Sequence, residues 1–238
     1  MDQFNSSWRF VFKNFKNLVS FGLPWLIFTI ISIGFISNKL PQVQIDKNLD
    51  INRLIEIYSQ WYENNSLQLF IIEQTINIMF IVFIASLAVQ FKNISNMGNP
   101  QSFFKVSKTI YLKIPYLFFA LFITNILVQI GFLFLIFPGI YLFARLSLYP
   151  IYISLENKGP IESIKCSWNA TDEFGSRLTI YTLLFGILLI LIISLTASLL
   201  ALSSIGIILI VPIILFETII FSMVLSYIYF SLYKYLEK

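Results

Sequence analysis

The chain of 238 residues has no histidine, a single cysteine (Cys166) and only 12% charged residues. Without histidine, the commonest metal ligand and the commonest general base are both missing. One thiol forms neither an intramolecular disulfide nor a multi-thiolate metal site. No cofactor and no metal are therefore expected. Charge is too sparse for a soluble domain, which needs about a quarter of its residues charged to cover its surface. A nucleic-acid surface is also excluded, because the pI of about 9.1 rests on a net charge of +4 scattered among connecting segments.

What the chain has instead is apolar length. Hydrophobic residues make up 58%, and residues 17–38, 74–91, 114–144 and 178–216 contain no Asp, Glu, Lys or Arg. A helix needs roughly 20 residues to cross the hydrocarbon core. Residues 18–37 supply one span, and 68–91, interrupted only by Glu73, supply a second. The run 114–144 is too long for one crossing. Pro138-Gly139 marks its expected reversal, giving spans over 115–137 and 140–156. The run 178–216 would measure roughly 58 Å as one helix, about twice the core thickness. It is expected to reverse at Ser203-Ser204-Ile205-Gly206, giving spans over 178–202 and 207–230. The predicted fold class is an all-α membrane protein with six transmembrane helices in a single integral membrane domain over 1–238.

Basic residues set the expected orientation. With the N-terminus inside, the inner segments hold Arg9, Lys13, Lys16, Lys92, Lys105, Lys108, Lys113, Lys158, Lys165, Arg177, Lys234 and Lys238. The outer segments hold Lys39, Lys47 and Arg53. Twelve against three predicts both termini in the cytoplasm. No small-residue cleavage site follows the first apolar run, which is read as a retained span.

Three segments share one plan of an amphipathic stretch followed by two spans. Trp8, Phe104 and Trp168 each lie nine residues before an edge residue, Asn17, Lys113 or Arg177. The predicted repeats cover about 1–91, with an outer insertion over 38–66, then about 100–156 and about 160–230. In the first stretch Phe4, Trp8, Val11, Phe12 and Phe15 face one way, against Asn5, Arg9, Lys13 and Lys16. Such short helices either lie in the headgroup region or pack on the bundle as connectors. The insertion carries another candidate helix, with Asp50 as N-cap and Ile51, Leu54, Ile55, Tyr58, Trp61 and Tyr62 on one face.

Residues 136–171, IFPGIYLFARLSLYPIYISLENKGPIESIKCSWNAT, resemble the YciC family of bacterial inner-membrane proteins, as does 124–132, TNILVQIGF. More distantly, the pattern resembles membrane regions found beside glycerophosphodiester phosphodiesterase domains. The positions that carry the resemblance are Pro138, Gly139, Arg145, Pro150, Glu156, Asn157, Gly159, Pro160, Ser167 and Trp168. It implies a multi-pass protein of the bacterial inner (plasma) membrane, and it brings no catalytic residues with it.

Glu73, Arg145 and Glu217 fall within predicted spans and each needs a partner, water or a polar interior. Similar estimated depth pairs Arg145 with Glu73, or with Glu217 if the last span kinks at Pro212. The three charges serve either as inter-helix ion pairs, as a polar passage for a small solute, or as separate snorkelling groups. Glu156 reads as a helix-end residue, and Cys166 as a small apolar filler. The resulting expectation is a non-enzymatic protein interacting with membrane lipids and other envelope proteins. A channel or transporter drawing on Asn77, Thr124, Asn125, Gln129 and Thr196 is the alternative. A lipid enzyme would have to work with carboxylates alone, and Glu156, Glu162, Asp172 and Glu173 fit interfacial positions better.

Overall fold

A computed structural model describes residues 2–42, 51–202 and 204–236. Those residues form ten helices and no strands: α1 (Asp2–Lys13), α2 (Phe15–Lys39), α3 (Ile51–Met97), α4 (Phe103–Tyr111), α5 (Ile114–Phe134), α6 (Ile136–Leu146), α7 (Tyr149–Glu156), α8 (Pro160–Ala170), α9 (Gly175–Leu200) and α10 (Ser204–Leu236). Six segments are long and apolar enough to cross a membrane, with α6 and α7 together forming the fourth. The all-helical class and the six spans stand as the apolar runs indicate. The Asp50 cap lies outside the described residues, and so does Ser203 at the last reversal.

α3 is the axis of the bundle. Its second half buries Phe83, Leu87 and Phe91 against α2, α7 and α10. Near its end the Gln90 side-chain amide is fully buried and bonds both ways to the Gln101 backbone, donating to the carbonyl at 3.1 Å and accepting from the N–H at 3.2 Å. That pair fixes the turn into α4. At the other end α3 runs on without a break through the outer insertion, so the amphipathic helix expected there over 51–62 is the start of α3 and not a separate element. Its 47 residues extend about 70 Å, more than twice the hydrocarbon core. The indole N–H of Trp61 donates to Lys39 O at 2.7 Å, and Lys39 Nζ donates to Gln68 at 2.9 Å. The end of α2 is thereby moored to the middle of the extension.

The first reversal within 114–144 lies at Leu135, whose extended backbone (φ −168°, ψ 159°) separates α5 from α6. Pro138 and Gly139 were expected at the turn but sit inside the first turn of α6. Proline is tolerated there because the N–H it lacks has no intrahelical acceptor. Glycine at 139 serves close approach: a Cβ on Gly131 would meet Gly139 Cα at 2.9 Å, and one on Gly139 would meet the Phe132 ring at 2.5 Å. The fourth crossing is also broken, at Ser147-Leu148, just before Pro150. Proline at 150 has no N–H for the Leu146 carbonyl, so the helix cannot run through.

Polar side chains inside the spans are largely spent on their own helices. Thr29, Thr124, Thr179 and Thr218 each donate to the carbonyl four residues back. Hydrocarbon offers no water, so such bonds are the local solution. Spin labels at Arg53→Cys and Ile78→Cys, with Cys166 replaced by alanine, should report a separation of ~38 Å, as 25 residues of unbroken helix require. A separation well below 30 Å would show that the extension is a distinct helix folded against the membrane surface.

Candidate functional site

Two of the residues that carry the family resemblance, Ser167 and Trp168, meet a third, the buried cation Arg145. At Asn157 the chain adopts the left-handed conformation (φ 57°), which ends α7 and reverses direction. Asparagine accepts this backbone more readily than most residues. Gly159 follows as an extended N-cap and Pro160 as the first helical residue, so α8 runs back alongside α7. Glu156 and Lys158 form a 2.8 Å ion pair beside this reversal. The Glu156 carboxylate, then the Cys166 thiol, hold the Lys158 ammonium above its ordinary pKa. Lys113 Nζ donates to Ser154 O at 2.6 Å, and burial followed by the nearby Lys92 charge lowers its pKa.

The fold-back brings Ser167, Trp168, Thr171 and Asp172 up to Arg145, which is 3% exposed. Its Nε donates to Thr171 Oγ1 at 3.1 Å and Nη1 to Tyr141 Oη at 2.9 Å. Nη2 donates to Trp168 O at 2.6 Å and to Asp172 Oδ1 at 3.0 Å. The Trp168 ring lies 4.0 Å from the guanidinium carbon, in cation–π contact. Arg145 O in turn accepts from Ser167 Oγ at 2.8 Å, and Ser167 Oγ accepts from Leu148 N at 3.1 Å. The serine hydroxyl thus serves two backbone groups at the break between α6 and α7. Gly175 completes the clasp, because a Cβ there would meet Arg145 Cδ at 2.7 Å.

The carboxylate paired with Arg145 is therefore Asp172, and neither Glu73 nor Glu217. The depth estimate considered spans only, whereas a short helix folded back along α7 delivers its own acceptor. Glu73 is exposed on α3. Glu217 accepts from Thr196 Oγ1 at 2.7 Å, while its second oxygen is buried without a partner. Tyr141, Thr171 and Gly175 were not singled out from the sequence, and Asp172 was read there as an interfacial carboxylate and not as the partner of Arg145. Asp172, four residues after Trp168 in the same segment, was the available signal.

A second feature is a cavity of about 420 Å³ between α3, α5, the broken crossing, α9 and α10. Asn77, Thr124 and Asn125 line it, with apolar walls that include Phe80, Leu121 and Leu225, and no lining residue is charged. Gln129, Thr196 and the three intramembrane charges are not among the lining residues.

The chain is similar to a "UPF0259 membrane protein" of Buchnera aphidicola subsp. Schizaphis graminum (strain Sg), with 46% identity over 54 residues. That stretch is 23% of this chain and 22% of the relative's length. It agrees at the level of family with the resemblance to YciC, a UPF0259 member. No family profile and no solved structure matches the chain.

Replacing Arg145 by leucine takes its hydrogen bonds from Thr171 Oγ1, Tyr141 Oη and Trp168 O and loosens the break it braces, and should cost about 2–3 kcal/mol of stability. Asp172→Asn should cost under about 1 kcal/mol, because that side chain is 77% exposed and its ion pair is screened. Arg145→Leu and Glu73→Leu should combine additively, since the two residues share no partner. Thermal unfolding in detergent measures all four proteins. Equal losses for Arg145→Leu and Asp172→Asn would show that the ion pair, not the wider clasp, holds the cation.

Proposed function

We propose that the protein is a non-enzymatic, lipid-interacting protein of the bacterial inner membrane, with both termini in the cytoplasm. One observation carries this reading: the short helices α1, α4 and α8 expose apolar and basic residues side by side. Phe12 lies next to Lys13, Phe104 (83% exposed) next to Lys105, and Tyr111 and Lys108 one turn apart. Ile161 and Lys165 repeat the arrangement on α8. An apolar face that enters the acyl boundary, flanked by cations that meet anionic headgroups, is the signature of an interfacial helix.

The same helices also pack on the bundle. Ser7 and Val11 of α1 are fully buried, and Trp8 stacks on Phe185 and meets Phe221 edge-on. In α4 it is Val106 and Ile110 that turn inward. One face of each helix is thus structural and the opposite face is free for lipid. A threefold repeat of short helix and two spans belongs to this proposal, although the marker aromatics differ in surroundings. Trp8 packs on rings, Phe104 is exposed, and Trp168 covers Arg145. A channel or transporter draws less support, because no charge lines the interior cavity.

In nanodiscs of mixed zwitterionic and anionic phospholipid, native mass spectrometry should find anionic lipid enriched on the protein. Each cation near such a surface contributes about 1 kcal/mol. Changing Lys13, Lys105, Lys108 and Lys165 together to glutamine should return the retained lipid to the bulk composition. Unchanged enrichment would remove the interfacial reading. For orientation, a cysteine at Tyr62 should react with an impermeant maleimide added to whole cells, while Cys166 should not. The reverse pattern would invert the topology.

A further inference from the structure

Tyr149 opens α7 immediately after the break in the fourth crossing, and it lines the interior cavity. The residue is 5% exposed, and its hydroxyl has no hydrogen-bond partner. Thr124 stands beside it outside hydrogen-bonding geometry, with its own hydrogen directed to Ala120 O and Leu121 O, at 2.8 and 3.0 Å. Three other hydroxyls at the cavity wall direct their hydrogen bonds elsewhere. Ser147 donates to Phe143 O, Thr218 donates to Ile214 O, and Tyr229 pairs with Thr182 at 2.6 Å. A buried donor without an acceptor costs about 1–3 kcal/mol, and native structures keep few of them. The break at Ser147-Leu148 is held by the Arg145 clasp, so the hydroxyl is fixed in place and not left by a loose fit.

The chemistry of the walls narrows what supplies the acceptor. The absence of any charged side chain disfavours an ion or a charged solute. A volume of about 420 Å³ falls within the 300–1,000 Å³ typical of small-molecule pockets. At roughly 30 Å³ for each water-sized group it holds about fourteen, the bulk of one chain and not two. Phe143 belongs both to the cavity wall and to the outer surface, where it is 48% exposed. The cavity thus borders the lipid-facing side of the bundle.

We infer that this cavity binds a single-chain uncharged lipid, whose chain fills the space between the spans and whose carbonyl or ether oxygen accepts a hydrogen bond from the Tyr149 hydroxyl. The inference deepens the lipid-interacting reading, on which it rests, by placing one lipid inside the bundle. It needs no enrichment of anionic headgroups outside, so the two fail separately.

The test uses the full chain in nanodiscs and a fatty-acid methyl ester carrying a mid-chain diazirine. Irradiation followed by peptide mapping should place label on residues 121–128, 143–151 and 218–229, and excess unlabelled ester should compete it away. Tyr149→Phe, which removes one oxygen and no volume, should lower that labelling about fivefold. Ser222→Phe should fill the cavity and abolish interior label while sparing the lipid-facing surface of α2 and α9. If Ser222→Phe does not fold, Tyr149→Phe alone carries the test. The matching free fatty acid, as a carboxylate, should label the interior at least tenfold less. Label confined to outward residues such as Ile31 and Leu191 would overturn the proposal. Interior label indifferent to both substitutions, or equal for acid and ester, would do the same.

Discussion

A guanidinium does not give up its proton inside a protein, so a buried arginine dictates terms to everything around it. Arg145 is buried, and the segment from 136 to 178 is shaped by the need to supply its acceptors. Proline at 150 breaks the fourth crossing and frees backbone groups. The reversal at Asn157 turns the chain so that α8 returns to the level of that break. Ser167 then serves the freed Leu148 N–H, α8 brings the Trp168 carbonyl, and the turn before α9 brings the Thr171 hydroxyl and the Asp172 carboxylate to the cation. Removing Arg145 or Ser167 takes a hydrogen bond from buried polar groups, whereas the exposed Asp172 is the dispensable member. Arg145, Pro150, Asn157, Ser167 and Trp168 therefore each have a structural reason for their identity in this clasp.

The bilayer imposes the second constraint. With no bulk water to compete, Thr and Ser in the spans bond to their own helices, and close helix contact depends on small residues. Gly131 lets its helix approach the backbone at Gly139, and Gly22 makes room for the Ile219 side chain. Outward surfaces such as Ile27, Ile31, Ile190 and Leu195 stay exposed because lipid, and not protein, covers them. Against this economy the unpartnered Tyr149 hydroxyl and the uncharged cavity stand out as features that the packing alone does not explain.

Apolar run length revealed the class and the span count, since a helix must match a fixed hydrocarbon thickness whatever its neighbours do. Boundaries were less legible. Pro138-Gly139 reads as a turn because both residues disfavour helix interiors, yet proline fits a first turn and glycine fits a tight interface. The continuity of α3 through 51–67 was hidden by polar composition, which marks where a helix leaves the membrane and not where it ends. The partner of Arg145 was invisible to depth arithmetic. Asp172 lies 27 residues away on the far side of a reversal, and only the three-dimensional path of α8 brings it near. The polar set Asn77, Thr124 and Asn125 was identified in the sequence, but its convergence on one cavity depends on helix rotation that spacing alone does not give.

The central claim is that Arg145 joins the broken crossing to α8 as one cooperative unit. Hydrogen–deuterium exchange of the Arg145→Leu protein, followed peptide by peptide, tests it most directly. The account predicts faster exchange in 141–156 and 160–175 together, with the α2–α3 hairpin protected as in the parent chain. Faster exchange in only one of the two segments, or a uniform rise across all six spans, would contradict it.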